Sequence, residues 1–334
     1  MHKRMLFGAI FLASLLALPI SLAHAQNARS WVASAPSGGS DANPCTLAQP
    51  CATFSHALTQ TNAGGEINCV NDGEFGGQIM IKKSVTIDCE GVQAGITGPG
   101  FNSFAVEVLA AATDVVVLRG LDISGNGVGV IGIAFYSGAK LHVEKCVIRD
   151  LVNDVSFGIG IQFEAAVFDS SVMELYVTDT IVTDNNAATN SVGILVSPTA
   201  PNTINKVILN RVEARKNFFG IKADGTQASG GVINMTVRDS VASGNSANGI
   251  VATSNATGAA VVMMVDHSAA SHNGAGYGVI ADGPKTTVEM SRSTASGNNF
   301  GIGATNSATL LSYQNNEVTN NSTDGSPTGV VAFK

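Results

Sequence analysis

Charge is scarce in this chain: Lys, Arg, Asp and Glu make up 13% of its 334 residues, against about 25% in an ordinary soluble domain. Aromatic residues are scarcer still at 6%, with a single Trp. This is not the composition of a helical bundle laced with ion pairs, nor of a core built on large rings. Cations are outnumbered, 18 Lys and Arg against 25 Asp and Glu. Setting aside Lys3 and Arg4 at the extreme N-terminus leaves sixteen against twenty-five, a charge of −9. Binding of a nucleic-acid backbone by charge is therefore disfavoured, and no nucleic-acid partner is expected. Beyond the N-terminal region no apolar run is long enough to span a bilayer. What the chain does have is glycine, 37 residues, and an apolar content of 45%, mostly Val, Ile, Ala and Leu. That is enough to build a sizeable core and argues against disorder.

The N-terminus reads MHKR, then an apolar run from Met5 to Leu22, then Ala23-His24-Ala25. A basic start, an apolar stretch and a small-x-small site describe a signal peptide cut before Gln26. The alternative is a retained membrane anchor, which Pro19 and the Ala-x-Ala site disfavour. The expected mature protein is Gln26 to Lys334, secreted or periplasmic, with no Cys directly after the apolar run to receive a lipid.

Export permits disulfides, and the cysteines are Cys45, Cys51, Cys69, Cys89 and Cys146. An odd number leaves at least one thiol. Cys45 and Cys51 bracket a short, proline-bearing loop, NPCTLAQPC, and a disulfide is expected there.

From Leu118 onward one nine-residue phrase recurs, beginning at Leu118, Val143, Val177, Leu209, Val237, Val265, Met290 and Tyr313. The spacings run from 23 to 34 residues, a period at which each unit buries its face only against its neighbours. After each phrase and a loop of varying length comes Gly followed by Ile or Val, at Gly132, Gly160, Gly193, Gly220, Gly249, Gly278, Gly301 and Gly329. Positions one and six of the phrase are apolar or small, as an inward column requires. Position nine is Asn in every phrase but one, where Leu151 stands, and marks a corner with left-handed or turn backbone. Short β-branched segments with polar corners and no helical period describe three strands per coil, stacked about 4.8 Å apart. That is an all-β parallel β-helix.

The phrase followed by Gly-Ile resembles the repeat of right-handed parallel β-helices in the pectin lyase-like superfamily. The segment from Trp31 through the INC and IDC sequences resembles the N-terminal end of such proteins. The resemblance implies a short capping helix over Thr53 to Thr61, with Phe54 and Leu58 facing the open end of the core. The domain organisation is then residues 1–25 as signal peptide, 26–63 as N-terminal segment and cap, and 64–334 as a solenoid of about ten coils. Cys69 and Cys89 hold like places in INC and IDC. Adjacent coils would put their Cα atoms within disulfide range, while parallel Cβ vectors disfavour the bond, and both outcomes stay open. Cys146 at phrase position four falls in a column of small or apolar residues and reads as a buried, unreactive thiol.

The resemblance also implies that active groups, where present, lie on the outward face of the Gly-Ile strand. Alternation with Ile inward makes that face mostly bland. Gln162, Glu164, Ser197, Lys222 and Asp224 form the one patch across three successive coils, with Glu107 further along the same face. Glu164 and Asp224, two coils apart, lie about 10 Å from each other between backbones, near the carboxyl separation of inverting glycosidases. Lys222 beside Asp224 suits a base or charge stabiliser in uronate elimination, or simply a solvated ion pair. The family's recognisable catalytic signatures are missing, including paired aspartates with Gly-His-Gly and Asp-Pro-His-Asp. Missing too is the carboxylate cluster with Arg by which pectate lyases hold Ca²⁺, so no cofactor or metal is implied.

A second set, Asp179, Arg211, Asp239, His267 and Arg292 with Arg238 and Asp266 beside it, reads as a cross-strand charge ladder. The competing reading is a metal held by Asp239, Asp266, His267 and His272, for which no close His or Cys spacing speaks. Phe219, Tyr277 and Phe300, each just before a Gly, are expected to alternate inward as a core stack. The leading functional expectation is a secreted scaffold that binds polysaccharide or envelope glycan along the Gly-Ile face without catalysis. The alternatives are a polysaccharide lyase or glycoside hydrolase on an acidic polysaccharide, using Glu164, Lys222 and Asp224, and a structural protein self-associating through its C-terminal coil, which ends at Gly329 to Lys334 without an evident cap.

Overall fold

The computed structural model describes residues 26–98, 104–152, 158–166, 172–185 and 189–332, and the expected signal peptide lies outside them. The chain folds as a right-handed parallel β-helix. Among the described residues three parallel sheets of twelve, ten and nine strands run its length, and each complete coil gives one strand to each sheet. In one coil these strands are Lys140–Glu144, Val147–Arg149 and Ile159–Phe163. No helix among the described residues is long and apolar enough to cross a membrane.

Register explains why the phrase recurs. Position one stacks as Leu118, Val143, Val177, Leu209, Val237, Val265 and Met290 in the twelve-stranded sheet, all buried. Position six stacks as Ile123, Ile148, Val182, Ala214, Ala242, Ala270 and Ala295 in the ten-stranded sheet, also buried. The third inward column is Ile133, Ile161, Ile194, Ile221, Ile250, Val279 and Ile302 in the nine-stranded sheet. Each large aliphatic side chain buried this way contributes about 1.5–3 kcal/mol, and no coil completes a core without the next.

The corners differ from the sequence expectation. Left-handed backbone falls at position three, in Lys145, Asp179, Arg211, Asp239, His267 and Arg292, and at position eight, in Asp150, Asp184, Lys216, His272 and the glycines Gly244 and Gly297. Of the position-nine asparagines only Asn126 adopts it. The turn at position eight swings the next side chain inward, so Asn185, Asn217, Asn245, Asn273 and Asn298 are buried. Each amide there is held along the helix axis. Asn245 Nδ2 donates to Ala214 O at 3.1 Å and to Asn273 Oδ1 at 2.9 Å, and the Asn245 backbone N–H donates to the same Oδ1 at 3.1 Å. A shorter ladder runs at position four, where the hydroxyls of Ser240, Ser268 and Ser293 accept from the backbone N–H of the preceding coil at 3.1 to 3.2 Å.

At the N-terminal end the helix Phe54–Gln60 is capped by Thr53, whose Oγ1 accepts from His56 N at 3.1 Å. It buries Phe54, Ala57 and Leu58 over the first coil, with the Phe54 and Phe75 rings 5.3 Å apart. Ahead of it, Asn27–Val32 joins the twelve-stranded sheet beside Thr61–Cys69, a strand the repeat pattern did not announce. Cys45 and Cys51 are bonded, as are Cys69 and Cys89 with Cα atoms 4.9 Å apart, which settles the open pairing. Cys146 is buried, and burial pushes its thiol up to about 12.

At the C-terminal end Val318 is only partly buried and Val330 is exposed. The polar tail continues the coil: Asn321 Nδ2 donates to Asp324 Oδ1 at 2.9 Å, so an aspartate takes the next place in the asparagine ladder. Thr328 Oγ1 accepts from Leu310 N at 2.9 Å and donates to Leu310 O at 2.9 Å.

Candidate functional site

The outward face of the nine-stranded sheet is shaped by its glycines. A Cβ on Gly220 would meet Gly249 O at 2.6 Å and Asn245 Nδ2 at 2.7 Å, so this position faces inward, pressed against the asparagine ladder. The following Ile faces inward too, and both are buried in the strand Phe219–Asp224. Two consecutive inward positions break the alternation, and the residue before the Gly turns outward. Phe219, Tyr277 and Phe300 therefore do not form a core stack. They are half-buried on the outer face, where the Tyr277 and Phe300 rings stack at 4.8 Å and 25°. The Tyr277 ring leans over the next coil, where a Cβ on Gly303 would lie 2.4 Å from Tyr277 Cε1.

Three columns run along this face. The first is Ile131, Ile159, Val192, Phe219, Asn248, Tyr277 and Phe300, an apolar and aromatic rib interrupted once. The second is Glu107, Ala134, Gln162, Leu195, Lys222, Val251, Ile280 and Gly303. The third, two residues on, is polar: Glu164, Ser197, Asp224, Thr253, Asp282 and Thr305. The structure thus unites Gln162, Ser197, Lys222 and Asp224 in one cleft of about 260 Å³ lined also by Leu195, Phe219 and Gln227. Glu164 is not in its lining but accepts from Gln162 Nε2 at 2.8 Å. Glu107 stands in the Gln162 column with fully buried Ala134 between them.

A second cavity of about 530 Å³ shares Phe219 and Lys222 with the first and adds Asn248, Val251, Thr253, Ile280, Asp282, Thr305 and Asn306. Together they make one groove across the later coils. Asp282, Thr305 and Asn306 were passed over in the sequence because that stretch reads as bland. The signal that could have found the groove is the Gly-Ile pair itself: two inward neighbours on every coil force the preceding residue out.

The electrostatics are lopsided. Lys222 Nζ lies 2.8 Å from Asp224 Oδ2 and 5.5 Å from the Phe219 ring centre. Asp224 Oδ1 accepts from the Thr226 hydroxyl at 2.6 Å and the Thr226 N–H at 3.0 Å. Burial opposes the Asp224 charge, but Lys222 and Thr226 outweigh it and hold the carboxyl below its usual range. Glu164 goes the other way: burial raises it, and a hydrogen bond from Thr199 only partly opposes this. Burial, then the carboxylates of Glu164 and Glu107, push the Tyr136 hydroxyl up to about 12.

The second constellation forms a charge ladder. Arg211 grips Asp179 through Nε and Nη2 at 2.5 and 2.8 Å, and Arg292 holds both oxygens of Asp266 at 2.9 Å. Arg238 lies 3.3 Å from Asp239 and 3.9 Å from Asp266, and His267 Nδ1 is 3.5 Å from Asp266. His272 sits at the opposite end of the strand Ala269–Ser271 from His267. The arginines already occupy the carboxylates that a metal would need.

No family model matches the chain, and no curated protein matches it in sequence. Among solved structures it is similar to the pectate lyase Pel9A, with a TM-score of 0.54 and 15% identity over 89% of this chain and 80% of that one. It is also similar to a rhamnogalacturonan lyase, with a TM-score of 0.51 and 14% identity over 89% of this chain and 88% of that one. At such identity the likeness is one of fold alone, that of a right-handed parallel β-helix.

Proposed function

We propose that the protein, exported to the periplasm or beyond as Gln26 to Lys334, binds a polysaccharide along the groove of the nine-stranded sheet without cleaving it. One observation carries this reading: the groove has an apolar wall with Phe219 near its middle and a polar wall of Ser197, Asp224, Thr253, Asp282 and Thr305. A pyranose ring has the same division, with C–H faces that pack on apolar and aromatic surface and hydroxyls at its rim that need hydrogen-bond partners. The likeness in fold to two polysaccharide lyases supports a ligand of polymer length. Gln162 Oε1, beside this groove, is buried with no hydrogen-bond partner among the described residues.

Elimination on a uronate is poorly served, since Lys222 is matched to Asp224 and, among the described residues, no second cation lines either cavity. Hydrolysis is the second reading, and a specific observation favours it. The Glu164 and Asp224 carboxyls are displaced in opposite directions, the pattern that separates an acid from a base.

The deciding experiment follows binding and new reducing ends together over a panel of neutral, amino and uronate polysaccharides. Binding without turnover is expected, and Phe219→Ala should weaken it about tenfold through lost stacking. Undiminished binding by Phe219→Ala removes the groove as the site. Reducing ends that vanish in Glu164→Gln establish hydrolysis instead.

A further inference from the structure

Asp282 is a carboxylate without a countercharge. Oδ1 accepts from the Thr305 hydroxyl and Asn306 Nδ2, both at 2.7 Å, while Oδ2 accepts only from the Thr253 hydroxyl at 3.2 Å. These donors are neutral, and Asp282 enters none of the ion pairs among the described residues. Burial disfavours its charge, yet the three donors together hold the carboxyl below its usual range, so it is ionised at neutral pH. A carboxylate oxygen has two lone pairs, and Oδ2 keeps one free. Asp282 lines the larger cavity with Phe219, Val251 and Ile280, whose apolar walls strengthen any charge interaction made there.

The local backbone is strained in the same place. Asn306 and Ser307 take φ values of 50° and 67°, and Ala308 N donates to Thr305 O at 3.0 Å, closing a tight turn of two left-handed residues. Asn306 tolerates this backbone, while Ser307, neither Gly nor Asn, costs roughly 1 kcal/mol or more there. What the turn achieves is the placement of the Asn306 amide on Asp282. Along the whole face, Glu107, Glu164, Asp224 and Asp282 stand against Lys222, which is matched to Asp224. The groove carries a negative field that attracts cations and repels carboxylates.

Resting on the glycan-binding reading, we propose that the Asp282 end of the groove takes a protonated amine, so that the glycan is an amino-sugar polymer with free amino groups. The ammonium donates to Asp282 Oδ2, and the adjoining sugar ring lies against Ile280, Val251 and Phe219.

The test is titration calorimetry at physiological salt with two oligomers of equal length, β-1,4-linked glucosamine and its N-acetylated counterpart. The free-amine oligomer should bind the unchanged protein about tenfold or more tightly than the acetylated one. Asp282→Asn should erase that preference while both oligomers still bind. Glu213→Gln, at an exposed carboxylate on the ten-stranded sheet, should keep it, which separates the site from general attraction to an acidic surface. Thr253→Lys, which sets a fixed ammonium beside an intact Asp282, should erase it as well and serves where Asp282→Asn does not fold. Equal affinities in the unchanged protein overturn the inference, as does a preference that survives both variants. If neutral or uronate glycans bind in the groove and the free-amine oligomer does not, the inference fails and the binding reading stands. If no glycan binds, both fall.

Discussion

Lys222 and Asp224 show how much a pair of side chains depends on its surroundings. With side-chain exposures of 23% and 13% they are sheltered enough for the pair to count, unlike the exposed bridges at the corners. The folded pKa of Asp224 lies below its unfolded value near 3.9. Its stabilisation is therefore complete above that value and lost as pH falls through the folded one. Asp224→Asn should cost about 1–3 kcal/mol at pH 7, with the difference from the parent closing as the medium is acidified towards pH 2. Glu164 has the opposite sign: its raised pKa means the ionised form costs folding energy at neutral pH, a cost relieved as pH falls through the folded pKa. Glu164→Gln should leave stability at pH 7 equal or higher, with the advantage gone near pH 4. Thermal melts of both variants across pH 2 to 8 check the two signs, and a matching pH profile for both would remove the assignment of opposite environments.

Among the elements, the asparagine ladder does most to fix one coil upon the next. Asn245 receives the Asn217 N–H at 3.0 Å and donates its own amide to Ala214 O and Asn273 Oδ1. Truncation would orphan the Asn217 N–H and Ala214 O on the preceding coil, in a place shielded from solvent. Asn245→Ala should therefore destabilise by about 2–4 kcal/mol. Asn321→Ala, at the partly exposed last step, should cost about 1 kcal/mol or less. Urea unfolding compares them, and equal losses would show that the ladder is no more than a surface decoration. The charge ladder at position three is a weaker counterpart, worth a few tenths of a kcal/mol per pair. Its charged residues hold left-handed backbone because their N–H groups still pair with the next coil, as Arg211 N does with Arg238 O at 3.1 Å.

Across the whole molecule the architecture is nearly one-dimensional, so each end must be closed by something other than another coil. At the N-terminal end the helix Phe54–Gln60 covers the core, and the Cys69–Cys89 bond ties Thr61–Cys69 to the next coil, whose strand Val85–Asp88 lies beside it. The Cys69→Ser and Cys89→Ser double variant should lose about 3 kcal/mol from the loop it releases. Hydrogen exchange should show that loss concentrated before residue 120, and uniform loosening along the solenoid would argue against independent coils. How much of this was legible beforehand follows from the range of each interaction. The three-stranded coil, its inward columns at phrase positions one and six and the buried Cys146 follow from the order of residues alone, because a repeated phrase that must bury one face against copies of itself leaves little choice of architecture. The Gln162, Ser197, Lys222 and Asp224 patch was legible for the same reason, since register carries equal positions onto neighbouring coils. The outward rib of Phe219, Tyr277 and Phe300 was not, nor was the inward turn of the position-nine asparagines. Strict alternation is a rule for a straight strand, and the side-chain direction at a bend is decided by what lies across the coil, here the amide of Asn245 against Gly220. The groove and its unmatched Asp282 exist only because stacking brings Thr253, Asp282 and Thr305 together from three coils, a contact between residues more than twenty positions apart that no local pattern records.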